Sequence, residues 1–350
     1  MIRYIEIGFV PLVKAAKPDE TLFVDTQLSW ADGGMGHQAA GGSLRARVTR
    51  SWGQIRAALS LPAGSGVEGV IVRARGTENT PAVGPRFVLK KSMSRFIQHL
   101  ALHLTKKHRC RLAVIDRRDE TSIHSNDRKL LSRCDLYFKR ELPWATWAAF
   151  DCLIPARICI GAASRDAASV SEAGKLRPLS LGIEDRLIQA APPAEEEILY
   201  DVFYAGSSHG MERRVHVERE LGRLAAAGIK VKFSESRPPR DEFLKIIRQS
   251  RIGISPGGVG WDCFRHYEIP AAGAALMIEQ PCHQIHEPPK NGVEAIYYAP
   301  GESLSHLVES WLHRREDLRR IAAAGNNWAR SHQSHSALGE SVVRQLSALG

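Results

Sequence analysis

The residues best equipped for chemistry in this 350-residue chain lie in one segment, Ser255 to Glu279, SPGGVGWDCFRHYEIPAAGAALMIE. A strand is expected to end at Ser255. A glycine-rich loop, Pro256 to Gly260, follows it, and a helix begins near Cys263. Backbone N–H groups at a helix N-terminus, approached through Gly257, Gly258 and Gly260, make an anion site. Arg265, in the first helical turn, can add a bidentate guanidinium. Glu268, three residues on, falls on the same helical face. A guanidinium and a carboxylate above a glycine loop suit a nucleoside diphosphate: Arg265 for the phosphates, Glu268 for two ribose hydroxyls. The same two residues could equally form a surface ion pair worth about 1 kcal/mol or less. Residue types alone leave both readings open. The segment is neither a dinucleotide fingerprint nor a P-loop. Gly258-Val-Gly260 lacks the third glycine, and no GK[ST] occurs.

Other loops carry weaker signals. Gly206-Ser207-Ser-His-Gly210 follows an expected strand, and its amides with Arg213 or Arg214 behind it could reach the same diphosphate; a plain strand-to-helix turn with solvated arginines is the competing reading. Ser234-Glu235 ends the next strand, and Glu235 is placed toward the base. In the N-terminal half, the loop WADGGMGHQAAGG offers Asp32 and His37 to an acceptor or to the transferred sugar; a lid or plain irregularity is the alternative. Asp116-Arg-Arg-Asp119 follows a strand, and Asp119 is a candidate catalytic base; a salt-bridge cluster is the competing reading. Lys139-Arg140-Glu141 ends another strand. Cys282, His283 and His286 are too few for a structural zinc site. No D-x-D pair of metal-binding carboxylates occurs. Trp144, Trp147 and Phe150 read as a core stripe, with a sugar-stacking surface or partner patch as the alternative.

Arg265-His-Tyr-Glu268-Ile-Pro-Ala-Ala-Gly273 and the apolar strand after it resemble the R-x-x-E-x-x-A-x-G block of GT-B glycosyltransferases. The resemblance is closest to the group-1, CgeB-like (spore-protein-like) branch. Gly292-Val-Glu-Ala-Ile-Tyr-Tyr298 resembles the family's following strand. Leu304 to Trp328, with Arg320 to Gly325 inside it, resembles its closing helices. Tyr204-Ala-Gly206 and Arg213-Arg214 resemble the first strand and glycine loop of its nucleotide-binding domain. The likeness covers about residues 199 to 335, under half of the chain. It implies two Rossmann-like α/β domains facing a cleft. A UDP- or GDP-type sugar would be held in the C-terminal domain and a saccharide, lipid or other acceptor mostly in the N-terminal one. It also implies a last helix, Ser336 to Leu349, crossing back to the N-terminal domain. One departure stands out. Retaining members with an E-x7-E pattern carry an acidic residue where this chain has Gly260, and Asp262 is out of register. Stereochemistry therefore stays open. The expected activity is metal-independent and cofactor-free glycosyl transfer, with Arg265, Asp119 and His37 as the catalytic candidates. A sugar-nucleotide epimerase of the same architecture and a non-catalytic nucleotide-sugar-binding protein are the alternatives.

The elements that must position these residues are legible in the pattern. In the second half the expected strands are 201–206, 229–233, 251–255, 274–279 and 295–298. The expected helices are 211–227, 241–250 and 264–272, with helix almost throughout from 303. In the first half the expected strands are 4–10, 22–26, 69–72, 112–116, 136–139 and 158–160, and the helices 43–59 and 93–108. Strands alternating with helices mean parallel sheets covered on both faces. Ile188 to Glu197, IQAAPPAEEE, reads as a linker. The expected division is therefore an acceptor-side domain at 1–185, a linker at 186–198, a nucleotide-sugar domain at 199–335 and a crossing helix at 336–350.

Composition sets the outer limits. Hydrophobic residues at 43% and charged residues at 25% exclude a disordered or fibrous chain. No apolar run is long enough to span a bilayer. The six cysteines form no CxxC pair and suggest no disulfide framework. The N-terminus lacks the pattern of a signal peptide, so a cytoplasmic protein is expected. The net charge of +10 fits an anionic partner, and a generic basic surface is the competing reading. No block of five basic residues occurs, which argues against nucleic acid. Any membrane contact is expected to be peripheral, at the inner anionic face.

Overall fold

The computed structural model describes residues 1–8, 10–26, 44–74, 85–124, 127–150, 171–189, 197–206, 211–235 and 238–350. Two compact units emerge: Met1–Ser180 with Leu338–Gly350, and Leu181–Ala337.

The first unit holds a six-stranded sheet built from β1 (Tyr4–Gly8), β2 (Thr21–Asp25), β3 (Gly69–Arg73), β4 (Arg111–Asp116), β5 (Leu136–Lys139) and β6 (Leu176–Pro178), in the order β2-β1-β3-β4-β5-β6. Every pairing is parallel. The strands are apolar on both sides because both faces are covered. Ile5, Ile7, Val70, Val72, Leu112 and Val114 pack on one side with Ile55, Ile97, Leu100 and Leu104. Those four come from the helices Leu44–Ser60 and Pro85–His108. On the other face Tyr4, Ile71, Ala113, Ile115, Leu136 and Phe138 meet Leu338, Val342, Val343 and Leu346 of the last helix, His335–Ser347. Gly339 lets that helix lie against the chain at Leu12: a Cβ there would stand 2.1 Å from the Leu12 carbonyl oxygen.

The second unit holds five parallel strands, β7 (Tyr200–Ala205), β8 (Val231–Ser234), β9 (Ser250–Ser255), β10 (Ala275–Glu279) and β11 (Ile296–Tyr298), in the order β11-β10-β9-β7-β8. Tyr204 pairs with Phe233, and Ser255 with Ile278. Its first strand, β7, has β8 on one side and β9 on the other, so the winding direction reverses there. Ligands of open α/β sheets bind outside the carboxyl ends of the strands at such a switch point. The two glycine loops singled out in the sequence are the ones that leave β7 and β9.

Two parallel-sheet α/β units were expected, and the fold class is as expected. Several elements differ in extent. The helix expected from 93 begins at Pro85. β6 was not foreseen, since three residues carrying Arg177 and Pro178 form no apolar run. The expected strand at 158–160 lies outside the described residues. The units divide at Ser180/Leu181 because Leu181, Ile183 and Ile188 bury against Tyr267 and Trp328 of the second unit. No helix among the described residues is long and apolar enough to cross a membrane.

Candidate nucleotide site

Three guanidinium groups converge on the loop after β9. Arg265, the first residue of the helix Arg265–Ala272, donates from Nη1 to the Ala205 carbonyl at 2.9 Å and from Nη2 to the Pro256 carbonyl at 3.1 Å. It therefore bridges the ends of β7 and β9, with its charge 5.5 Å from the Tyr204 ring centroid. Arg214 donates from Nε to the Gly257 carbonyl at 3.4 Å. Arg213 lies 3.5 Å from Oε1 of Glu279, the last residue of β10. The other oxygen of Glu279 accepts the Gly257 N–H at 3.2 Å, so this buried carboxylate holds the loop and one arginine together.

The glycines leave room for these arginine termini. A Cβ on Gly206 would stand 2.8 Å from Arg265 Nη1, and one on Gly257 would stand 2.4 Å from Arg213 Nη1. The loop closes on itself through Gly258 N–H to the Gly260 carbonyl at 2.7 Å, leaving Val259 exposed at its tip.

Electrostatically the site is a concentrated positive well. Burial, then the neighbouring Arg265, lowers the Arg214 pKa. Burial pushes the Tyr204 hydroxyl up, against the pull of Arg265 and Arg214. Tyr298, which ends β11, rises well above the usual phenol range through burial and then Glu279. Tyr204 Oη, Tyr298 Oη and Arg265 Nε are buried with no hydrogen-bond partner among the described residues. Buried donors of this kind are ordinarily satisfied. Here they lie beside the arginines that an anion would meet.

A second cluster adjoins the loop. Ser255 Oγ and His266 Nδ1 are 2.7 Å apart, and Cys263 Sγ is 3.5 Å from that nitrogen. His266 Nε2 contacts the Trp261 carbonyl at 2.8 Å. Burial opposes ionisation of Cys263, but His266 and Arg265 outweigh it and hold the thiol at about 6. The partner imidazole is raised correspondingly, burial opposing and the Cys263 charge favouring its protonated form.

The structure brings together Gly206, Arg213, Arg214, Gly257, Gly258, Gly260 and Arg265 around the ends of β7 and β9. Glu268 is buried in the same helix as Arg265, and its Oε1 is 3.3 Å from Arg240 at the start of the helix Arg240–Arg248. Glu235 is exposed directly after β8. Ser207, Asp32 and His37 lie outside the described residues. Asp119 belongs to the first unit and is ion-paired with Arg140. Beside it, Asp116 is fully buried and bound by Arg118, Lys139 and Tyr137. Burial opposes its charge, but Lys139 and Arg118 hold its carboxyl below the usual range. Asp262 is taken up by the Leu181 N–H and the Tyr267 hydroxyl. His283 packs on Trp261. No group of three or more His, Cys, Asp or Glu among the described residues is placed to hold a metal ion.

Sequence reasoning missed Glu279, Tyr204, Tyr298 and the Ser255–Cys263–His266 cluster as site residues. Tyr204, Ser255, Glu279 and Tyr298 are marked in the sequence only by their place at the carboxyl end of a strand, and Cys263 and His266 only by following the glycine loop.

Residues 203–339, less than half of the chain, match a family described as "Glycosyl transferase-like". No curated protein matches the chain in sequence. Two solved structures are similar over nearly the whole chain. HepE of Anabaena, solved in complex with UDP, is 12% identical over 99% of this chain and 100% of its own, with a TM-score of 0.50. A glycosyltransferase from Rickettsia africae is 11% identical over 99% of this chain and 98% of its own, with a TM-score of 0.51. At such identity the likeness establishes the two-unit α/β architecture, the GT-B type of fold. The CgeB-like branch suggested by the sequence finds no support in these matches.

Proposed function

We propose that this chain is a glycosyltransferase that takes a sugar from a UDP- or GDP-type donor bound in its second unit. The observation that carries the reading is the convergence of Arg213, Arg214 and Arg265 on the glycine loop at the switch point of the second sheet. The "Glycosyl transferase-like" match over 203–339 and the UDP complex of the Anabaena protein support it.

The reaction breaks the bond between the anomeric carbon and the β-phosphate oxygen. It forms a bond from that carbon to an acceptor hydroxyl, whose proton must leave. Negative charge grows on the departing diphosphate. Arg265 and one of Arg213 or Arg214 face that charge, in a site whose donors are already oriented. Glu268, held by Arg240, accepts hydrogen bonds from the ribose, and Glu235 lies toward the base. Arginines in these positions do the work that a divalent metal does in D-x-D enzymes, so the transfer is metal-independent. The first unit selects the acceptor, a saccharide or glycolipid, with Asp119 and His37 as the base candidates.

The test is incubation with a panel of UDP- and GDP-sugars in the presence of EDTA, with and without saccharide and lipid acceptors. Transfer, or slow donor hydrolysis, is expected. An epimerised sugar nucleotide, or binding without turnover, would replace the transferase reading by one of its two alternatives. Loss of activity in EDTA that Mn²⁺ restores would refute the metal-free mechanism.

A further inference from the structure

We propose that the paired helices Leu44–Ser60 and Pro85–His108 of the first unit form a docking face for an anionic lipid bilayer. The charge distribution leads to this. The shorter helix, LRARVTRSWGQIRAALS, carries four arginines, and the longer, PRFVLKKSMSRFIQHLALHLTKKH, carries six lysines or arginines. Neither contains an Asp or Glu. These ten positive charges equal the net +10 of the whole chain, so the rest of the molecule sums to neutral.

The two helices are neighbours. The Trp52 and Phe96 rings lie 6.0 Å apart, and Lys107 reaches the Leu59 carbonyl. On the longer helix Ser92, Arg95, Phe96, His99, His103 and Lys106 are exposed. Their spacing makes one continuous stripe. On the shorter helix Trp52 and Leu59, two turns apart, are 49% and 40% exposed, flanked by exposed Arg50 and Arg56. Large apolar side chains standing in water among cations are the composition of an interfacial surface: the rings enter the headgroup layer while Lys and Arg meet lipid phosphates. A largely apolar pocket lies beside the two rings, lined by Val48, Ile55, Phe96 and Leu100 of the helices and by Val24, Asp25 and Thr26 at the end of β2. A duplex nucleic acid would engage the cations but has no use for Leu59 or for this pocket. A bilayer uses all of them. The inference stands apart from the transferase reading, since none of these residues belongs to the nucleotide site.

The experiment is co-sedimentation of the full chain with vesicles of phosphatidylcholine alone and of phosphatidylcholine mixed with phosphatidylglycerol, at low and high salt, without nucleotide. Binding to the anionic vesicles only, released by salt, is expected. Each cation near such a surface contributes about fivefold, so replacing Arg50, Arg56, Arg95 and Lys106 together by Gln should weaken partitioning by about a hundredfold or more. Trp52→Ser with Phe96→Ser should weaken it by about tenfold or more while leaving the salt dependence in place. All six residues are exposed, and circular dichroism melts identify any variant that has not folded. Equal binding to neutral vesicles, no binding at low salt, or retention of affinity by the four-Gln variant would overturn the proposal. So would duplex RNA or DNA binding more tightly than the anionic vesicles and displacing them.

Discussion

Replacing Arg265 by Gln separates its two tasks. Arg265 binds the carbonyls of Ala205 and Pro256 at 2.9 and 3.1 Å, which joins the ends of β7 and β9 whether or not a nucleotide is present. A hydrogen bond from a charged donor is worth about 1.5–3 kcal/mol. The side chain is only half-buried, and a Gln amide can keep one bond. The net loss should therefore be about 1.5–3 kcal/mol, or about 3–12 °C in Tm for a unit of this size. The second loss is felt only with a ligand. Removing one guanidinium from a diphosphate site should weaken UDP or GDP binding by about 30-fold, one charged hydrogen bond's worth. At a ligand concentration of about 100 times the wild-type Kd, nucleotide stabilises the native state by about 2.7 kcal/mol; after a 30-fold loss the same concentration yields about 0.9 kcal/mol. Differential scanning fluorimetry with and without nucleotide reads both quantities. The reasoning fails if the variant melts lower but keeps the full nucleotide-induced shift. Arg265 would then be a bridge between strands and nothing more.

Four further outcomes are expected. Glu268→Ala should weaken nucleotide affinity about ten- to a hundredfold and also lower stability by about 1–3 kcal/mol, because Glu268 is buried against Arg240; unchanged affinity by calorimetry would make the pair purely structural. Cys263, with its thiol at about 6, should be alkylated by iodoacetamide at neutral pH well before Cys110 and Cys134, which burial holds at about 11 and about 12, and UDP should protect it; peptide mass spectrometry showing Cys263 unlabelled until alkaline pH would refute this. Glu6 is buried under the N–H groups of Leu12, Val13 and Lys14, and burial lifts its carboxyl from 4.5 to about 7 despite them. Its folded pKa is raised, so its contribution is fully present below 4.5 and lost as pH rises through about 7, about 3 kcal/mol in all; Glu6→Gln should flatten that slope in denaturant melts between these pH values, and an unchanged slope would sink the assignment. Gly339→Ala would set a Cβ 2.1 Å from the Leu12 carbonyl oxygen and should cost about 1–3 kcal/mol or more; a wild-type Tm would show that the last helix is not seated there.

Strand–helix alternation alone determined that the chain builds parallel sheets, because apolar runs bounded by glycine have few other ways to be covered. The strand, glycine loop and helix that carry Gly257, Gly258, Arg265 and Glu268 were also legible, since such an arrangement is a local pattern. Which groups complete the site was not local. Glu279 is 22 residues from Gly257, and it reaches that loop only because β10 pairs with β9 in register. Arg213 enters from the helix after β7, and Tyr298 from the far strand β11. The same holds for charge. The sequence states the excess of +10, but only the packing of two acid-free helices, one against the other, places it on one unit. Local sequence sets backbone conformation and the order of side chains along each element. The strand order β11-β10-β9-β7-β8 decides which strand ends become neighbours, and side chains from residues far apart in the chain meet there.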